Sequence, residues 1–136
     1  LNRMSNIKKN IIQKSVANTK QIILARKLID EIYISENIQK YIISLVLATR
    51  APKNYGINDL SEFIDLGASP RASIYLARAS KAQAFLKNRS YVIPEDVRSV
   101  GKAILRHRII LSYEAEAEEI TAEHLIQRIY ESVPTP

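Results

Sequence analysis

Hydrophobic residues recur at intervals of three and four along most of the chain, which is the spacing of an amphipathic α-helix. The clearest case follows Ser35, a typical N-cap residue, and runs to about Arg50. Its predicted buried stripe is Ile38, Tyr41, Ile42, Leu45 and Thr49. Alternating apolar patterns long enough to build a sheet are missing, and there are only three glycines. The pattern therefore predicts an all-α domain.

The same reasoning predicts a small bundle of about five helices. The other four are expected at about 19–33, 70–88, 94–107 and from Thr121 onward. The helix at 70–88 is rich in alanine, so neighbouring helices can approach it closely, and we expect it to be central. Between the helices, 51–68 reads as an irregular stretch with turn signals, and 108–112 as a short extended piece.

Three signals mark the start of the central helix. Gly67 is a turn residue that can adopt positive φ. Ser69 is a good N-cap, and Pro70 suits the first helical position, where no amide hydrogen is needed. This start places Arg71 at about the second helical position.

Arg71 is an unusual residue at that position, because the partial positive charge of a helix N-terminus disfavours a cation by about 0.3–1 kcal/mol. The nearest acid in the sequence, Asp65, is six positions away. A phosphate would explain the arginine, since guanidinium and helix N-terminal amides both supply donors and positive potential. The alternative is an arginine that is simply solvated.

The formal charge of +6 lies at the beginning of the chain. Residues 1–30 carry seven Lys or Arg and one Asp, and the remaining residues sum to zero. A basic segment of this kind leaves open a small helical nucleic-acid-binding or protein-interaction domain. Nucleic acid is disfavoured, because the candidate recognition helix is the alanine-rich one, whose composition is typical of core packing.

Several chemistries are excluded by what the sequence lacks. There is no cysteine, which fits a reducing cytoplasm. The two histidines, His107 and His124, have no metal-ligand spacing, so no metal site is predicted. Glycines at 56, 67 and 101 are too far apart to form a phosphate loop, and no hydrolase triad or membrane-length apolar run is present. The chain alone is not expected to hydrolyse ATP.

With these segments in order, the chain resembles the C-terminal helical lid of MoxR-type AAA+ ATPases, which is related to the lid of magnesium-chelatase ATPase subunits. The resemblance covers residues 32–136. Its motifs are Leu47-Ala48-Thr49-Arg50, Gly67-Ala68-Ser69-Pro70-Arg71-Ala72-Ser73, Tyr91-Val92-Ile93-Pro94-Glu95-Asp96-Val97, Leu105-Arg106-His107-Arg108-Ile109, Glu114-Ala115-Glu116-Ala117-Glu118 and Val133-Pro134-Thr135-Pro136. One departure is Ile93, where the family commonly has Thr or Ser.

The resemblance implies that Arg71 is the sensor 2 arginine, which reaches the γ-phosphate of ATP, with Gly67, Ser69 and Pro70 completing the lid side of the cofactor site. ATP and Mg²⁺ would be bound mainly by an ATPase core absent from this chain. Residues 1–18 would then be the connector from that core and 19–136 the lid. The first residue, Leu1, is not a methionine, which agrees with a fragment of something longer.

The resemblance also implies partners. These are the protein's own N-terminal ATPase core, neighbouring subunits of a hexameric ring and proteins with von Willebrand factor A domains, in a chaperone-like cytoplasmic machine. The roles of Arg50 and Arg78 stay open, because either could approach the nucleotide or the next subunit.

Overall fold

The structure is a computed structural model that describes residues 15–136; most of the predicted connector lies outside that range. Six helices and a two-stranded sheet occur in the described residues. The helices are α1 (Thr19–Glu31), α2 (Glu36–Arg50), α3 (Arg71–Leu86), α4 (Pro94–Leu105), α5 (Tyr113–Ala117) and α6 (Ala122–Ser132), and the strands are β1 (Ile64–Leu66) and β2 (Ile110–Leu111). The all-α prediction is confirmed.

The small sheet joins two distant parts of the chain. β2 falls inside the extended piece predicted at 108–112 and pairs antiparallel with β1, with Leu66 opposite Ile110. The sequence reading missed β1, since three residues are too few to show alternation within the stretch 51–68, where two 3₁₀ turns, Pro52–Tyr55 and Asn58–Glu62, also form. The sheet therefore closes a loop that contains α3 and α4.

The core lies between α2, α3, α4 and α6. The predicted stripe of α2 is confirmed: Ile38, Tyr41, Ile42, Leu45 and Thr49 are all buried. Two helix N-caps form at the expected helix starts: the Ser35 hydroxyl accepts the Ile38 amide, and the Thr121 hydroxyl accepts the His124 amide. Helix α3 packs against α1, α2 and α4, so it is central as predicted.

Helix α1 differs from the others because none of its residues is buried. It forms where predicted, and a capping box between Asn18 and Gln21 stabilises its first turn. Four large apolar side chains remain 41–57% exposed; they are Ile22, Ile23, Leu24 and Leu28. Only Ile32, just after the helix, joins the core. Helix α1 thus contacts α3 on one side, and its large apolar side chains remain partly exposed to solvent.

A buried carboxylate anchors the beginning of α4. Asp96 is fully buried and makes two hydrogen bonds with the Arg89 guanidinium, at 2.7 and 2.6 Å. Its carboxylate also accepts the backbone amide of Ile93 at 3.1 Å. The N-cap residue, Ile93, has an apolar side chain that cannot accept a hydrogen bond. The side-chain hydrogen bond at this terminus is therefore the one that the Asp96 carboxylate accepts from the Ile93 amide. Burial works to raise the pKa of Asp96, but the bonds from Arg89 and Ile93 outweigh it and hold the pKa below its ordinary value.

Gly101 allows α4 and α6 to pack closely. A Cβ atom at this position would run into the hydroxyl oxygen of Tyr130, whose side chain is buried in α6. Only hydrogen fits there, which explains a glycine in the interior of a helix despite a helix propensity about 1 kcal/mol poorer than that of alanine.

We predict that Gly101→Ala will lower the free energy of unfolding by about 1–2 kcal/mol, because the cost of overpacking exceeds the gain in helix propensity. Urea unfolding of the chain measures this. In a Tyr130→Phe background, which removes the obstructing oxygen, the same substitution should cost much less. An equal loss in both backgrounds would contradict the packing explanation.

Candidate functional site

The predicted site residues lie where the end of α2 meets the beginning of α3. Helix α3 begins at Arg71, and Pro70 stands at the N-cap with φ −52° and ψ −28°, which are already helical angles. The predicted start at Pro70 is therefore one residue early. Ser69, Pro70 and Arg71 are exposed, whereas Gly67 is half-buried.

Ser69 is not the N-cap that the sequence suggested. No side chain caps α3, and the Ser69 hydroxyl accepts only a long bond of 3.4 Å from the Arg71 amide. Instead the Ser69 carbonyl accepts the Ala72 amide at 2.7 Å, and the Pro70 carbonyl accepts the Ser73 amide at 3.1 Å. These i to i+3 bonds satisfy the Ala72 and Ser73 amides, so those two amides are not free donors, whereas the Arg71 amide has only the long bond to Ser69.

Gly67 is needed for a reason other than the predicted one. Among the described glycines only Gly56 has a positive φ. A Cβ atom at Gly67 would run into the Thr49 carbonyl and would crowd the Arg50 Cα at the end of α2. Glycine is therefore required for close backbone approach, and the expectation of a left-handed turn residue is wrong.

Two consecutive residues of α2 hold the residue that follows Gly67. The Thr49 hydroxyl oxygen accepts the backbone amide of Ala68 at 2.9 Å. The Arg50 Nη1 donates to the carbonyl of Ala68 at 3.3 Å. The sequence predicts Thr49 in the core and leaves the role of Arg50 open; it does not predict that both attach to Ala68, which is 19 residues from Thr49 and 18 from Arg50.

Arg71 projects from this junction without a counter-charge. Within residues 15–136 its guanidinium makes no ion pair and no side-chain hydrogen bond. The absence of a carboxylate partner leaves its donors available to an anion from outside the described residues. Because the Ala72 and Ser73 amides are already bonded, the guanidinium is the principal donor at this end of α3.

The same face of α3 carries further exposed side chains at one-turn intervals. Ile74 and Tyr75 follow Arg71 by about one turn, and Arg78 follows by about two turns, roughly 10 Å along the helix axis. The Arg108 guanidinium stacks over the Tyr75 ring at 4.7 Å from its centre. The sequence reading did not assign Arg108 to this face, since the two residues are 33 positions apart and nothing local links them.

Other kinds of site have little support in the described residues. No group of three His, Asp or Glu side chains in that range could hold a metal ion. Across residues 15–136 the helices are too short or too polar for any to cross a bilayer.

Comparison with known proteins identifies the family. A sequence model of the family described as "AAA lid domain" matches residues 58–129, more than half of the chain. "Chaperone MoxR1" of Mycobacterium tuberculosis is 35% identical over 123 residues, which make up 90% of this chain and 33% of that protein. "Protein MoxR" of Paracoccus denitrificans is 35% identical over 75% of this chain and 32% of its own length.

A solved structure agrees with the fold in detail. The crystal structure of a "putative ATPase" from Cytophaga hutchinsonii superposes with a TM-score of 0.94 at 44% identity, covering 99% of this chain and 41% of that one. The chain therefore belongs to the AAA lid domain family. Its relatives place it with the lids of MoxR-type AAA+ ATPases. The chain spans about a third of the length of the curated relatives it matches.

Proposed function

We propose that this lid contributes Arg71 as a sensor 2 residue, which contacts the γ-phosphate of ATP bound by the ATPase core of the full-length protein. The observation that supports the proposal is the exposed Arg71 guanidinium at the N-terminus of α3, which has no carboxylate partner in the described residues. A cation at that terminus is unfavourable unless an anion approaches, and a terminal phosphate supplies one.

The chemistry of the guanidinium fits this role. Arginine stays charged and offers several N–H donors in a planar fork that matches phosphate oxygens. When it is brought against the γ-phosphate in a site with little water, its charge stabilises the transferring group. The core would hold most of the cofactor: ATP would supply the phosphoryl group, and Mg²⁺ would neutralise part of the charge on the phosphates.

Arg71 would also connect hydrolysis to movement of the lid. While the γ-phosphate is present, it attracts the lid through Arg71, and after hydrolysis and phosphate release that attraction is lost. A ligand changes a conformational equilibrium only by its different affinity for the two states, and the γ-phosphate provides that difference. Ser69 and Pro70, exposed beside Arg71, would line the lid side of the cofactor site, and Gly67 would act indirectly through packing.

The assembly proposed for the full-length protein follows the family. We infer that the lid packs on its own N-terminal ATPase core and on neighbouring subunits of a ring, a hexamer as in other AAA+ proteins. Remodelling of clients in the cytoplasm, with partner proteins that carry von Willebrand factor A domains, completes the proposal.

The experiment that tests the role of Arg71 is the steady-state ATP turnover of the full-length protein with Arg71→Ala. Arg78→Ala is the matched control, because it removes the same charge from the same helix two turns further on. The nucleic-acid alternative has no observation in its favour among the described residues.

A further inference from the structure

We propose that Thr49 and Arg50 are positioning residues for Arg71: together they fix the short segment from which α3 begins and thereby set where the guanidinium lies. The inference rests on the proposed function of Arg71. It adds two residues that act on the nucleotide only through another side chain.

Thr49 makes a buried connection that no solvent molecule can replace. Its side chain is fully buried, and so is Ala68, whose amide it accepts. The same hydroxyl donates to the Val46 carbonyl at 2.6 Å, so both its donor and one acceptor position are used. Removing this hydroxyl would leave the Ala68 amide buried without a partner, a condition that folded proteins avoid. The bond therefore ties the segment firmly to α2.

Arg50 completes the attachment at the next peptide group, between Ala68 and Ser69. Its Nη1 donates to the Ala68 carbonyl, so the amide and the carbonyl of Ala68 are both held by side chains from the last two residues of α2. Gly67, immediately before, lies so close to the Thr49 carbonyl that no side chain fits between them. The three contacts fix the position and the direction of the chain at residues 67–68.

Only Ser69 and Pro70 separate this fixed point from Arg71. Proline has a fixed φ, and the Ser69 and Pro70 carbonyls accept the Ala72 and Ser73 amides, which restricts the other backbone angles of the segment. A displacement at Ala68 is therefore passed to Arg71 with little loss. This matters for a phosphate contact, because an error of about 1 Å in the placement of a charged group can cost on the order of a hundredfold in rate.

The test uses Thr49→Val in the full-length ATPase, since valine keeps the shape of threonine and lacks the hydroxyl. We expect kcat for ATP to fall about three- to tenfold with KM for ATP nearly unchanged, because the core holds the nucleotide. Thr49→Ser, which keeps the hydroxyl, should retain most of the turnover. Arg50→Met keeps the aliphatic stem at an exposed position, so it should fold normally and lower kcat about two- to threefold.

The decisive comparison places each substitution in an Arg71→Ala background. A residue that acts only through Arg71 should cause no further loss there, so the double variants should turn over ATP at the rate of Arg71→Ala alone. A loss that multiplies with that of Arg71→Ala would overturn the inference. So would unchanged turnover in both Thr49→Val and Arg50→Met while Arg71→Ala is impaired.

A control separates positioning from general destabilisation. Val97→Ala also alters a fully buried side chain, but in α4, away from the junction. Assayed well below the melting temperatures of both variants, Val97→Ala should keep its turnover while Thr49→Val does not; equal losses would overturn the inference. If Arg71→Ala itself leaves turnover unchanged, the proposed function fails first, and this result is distinct from a failure of Thr49 or Arg50 alone.

Discussion

Arg71→Ala should lower kcat for ATP in the full-length protein by about 10- to 100-fold while leaving the fold of the lid intact. The expected loss lies below the largest effects known for arginine fingers, about 10³- to 10⁵-fold, because a lid arginine shares the phosphate charge with groups of the core. The fold should survive, since the side chain is exposed and has no ion pair among the described residues. Turnover at saturating ATP, together with a thermal melt, measures both quantities.

The matched variant Arg78→Ala should change kcat less than twofold. Arg71→Lys is informative as well: a single ammonium keeps the charge but loses the planar fork, so partial activity is expected. Two results would contradict the role of Arg71, namely unchanged turnover in Arg71→Ala or an equal loss in Arg78→Ala. The second result would indicate a general requirement for positive charge on α3.

Asp96→Asn should lower the free energy of unfolding by about 2–3 kcal/mol. Breaking a buried ion pair by removing one partner typically costs about 3–5 kcal/mol, and the loss here is reduced because the Arg89 side chain retains some exposure. Asparagine can still accept the Ile93 amide, so the loss reports mainly on the charge. Urea unfolding at pH 7 measures it, with Glu95→Gln as the control. Glu95 is an exposed acid in the same helical turn, and its replacement should cost below about 1 kcal/mol.

The contribution of Asp96 should also depend on pH in a defined direction. Its pKa is lower in the folded state than in the unfolded chain, where a carboxyl has a pKa of about 3.9. The stabilisation is therefore fully present above that value and is lost as the pH falls through the lower pKa of the folded state. The difference in stability between the natural protein and Asp96→Asn should shrink on acidification below pH about 4. A difference that stayed constant down to pH 2 would contradict the origin of the effect in the carboxylate charge.

Much of the fold could be predicted from the sequence because its signals are local. The stripe of α2 depends on helical spacing, and the caps Ser35 and Thr121 depend on neighbours three residues away. The short helix α5 was not predicted, since five residues hardly show a period. The exposed apolar side chains of α1 have the same pattern as buried ones, because sequence spacing shows which residues share a face and not what covers that face.

The sequence predicted the local structure around Arg71 only in part. The position of Arg71 at a helix start was evident from Gly67 and Pro70, but Gly67 is not a left-handed turn residue and Ser69 is not the N-cap. What fixes this segment is a set of contacts with Thr49 and Arg50, which lie nearly twenty residues earlier. Tertiary contacts of this range leave no local signature in a single sequence.

The length of α3 has a mechanical consequence. The helix has 16 residues, so it is about 24 Å long, with Arg71 at one end and contacts with α1, α2 and α4 along its sides. A rigid rod of that length pivoting by about 5° near its first turn moves its far end by about 2 Å. The sheet of β1 and β2 ties together the ends of the loop that contains α3 and α4, so we expect the two helices to move together. If Arg71 contacts a phosphate as proposed, a small adjustment there would be magnified at the far end of α3.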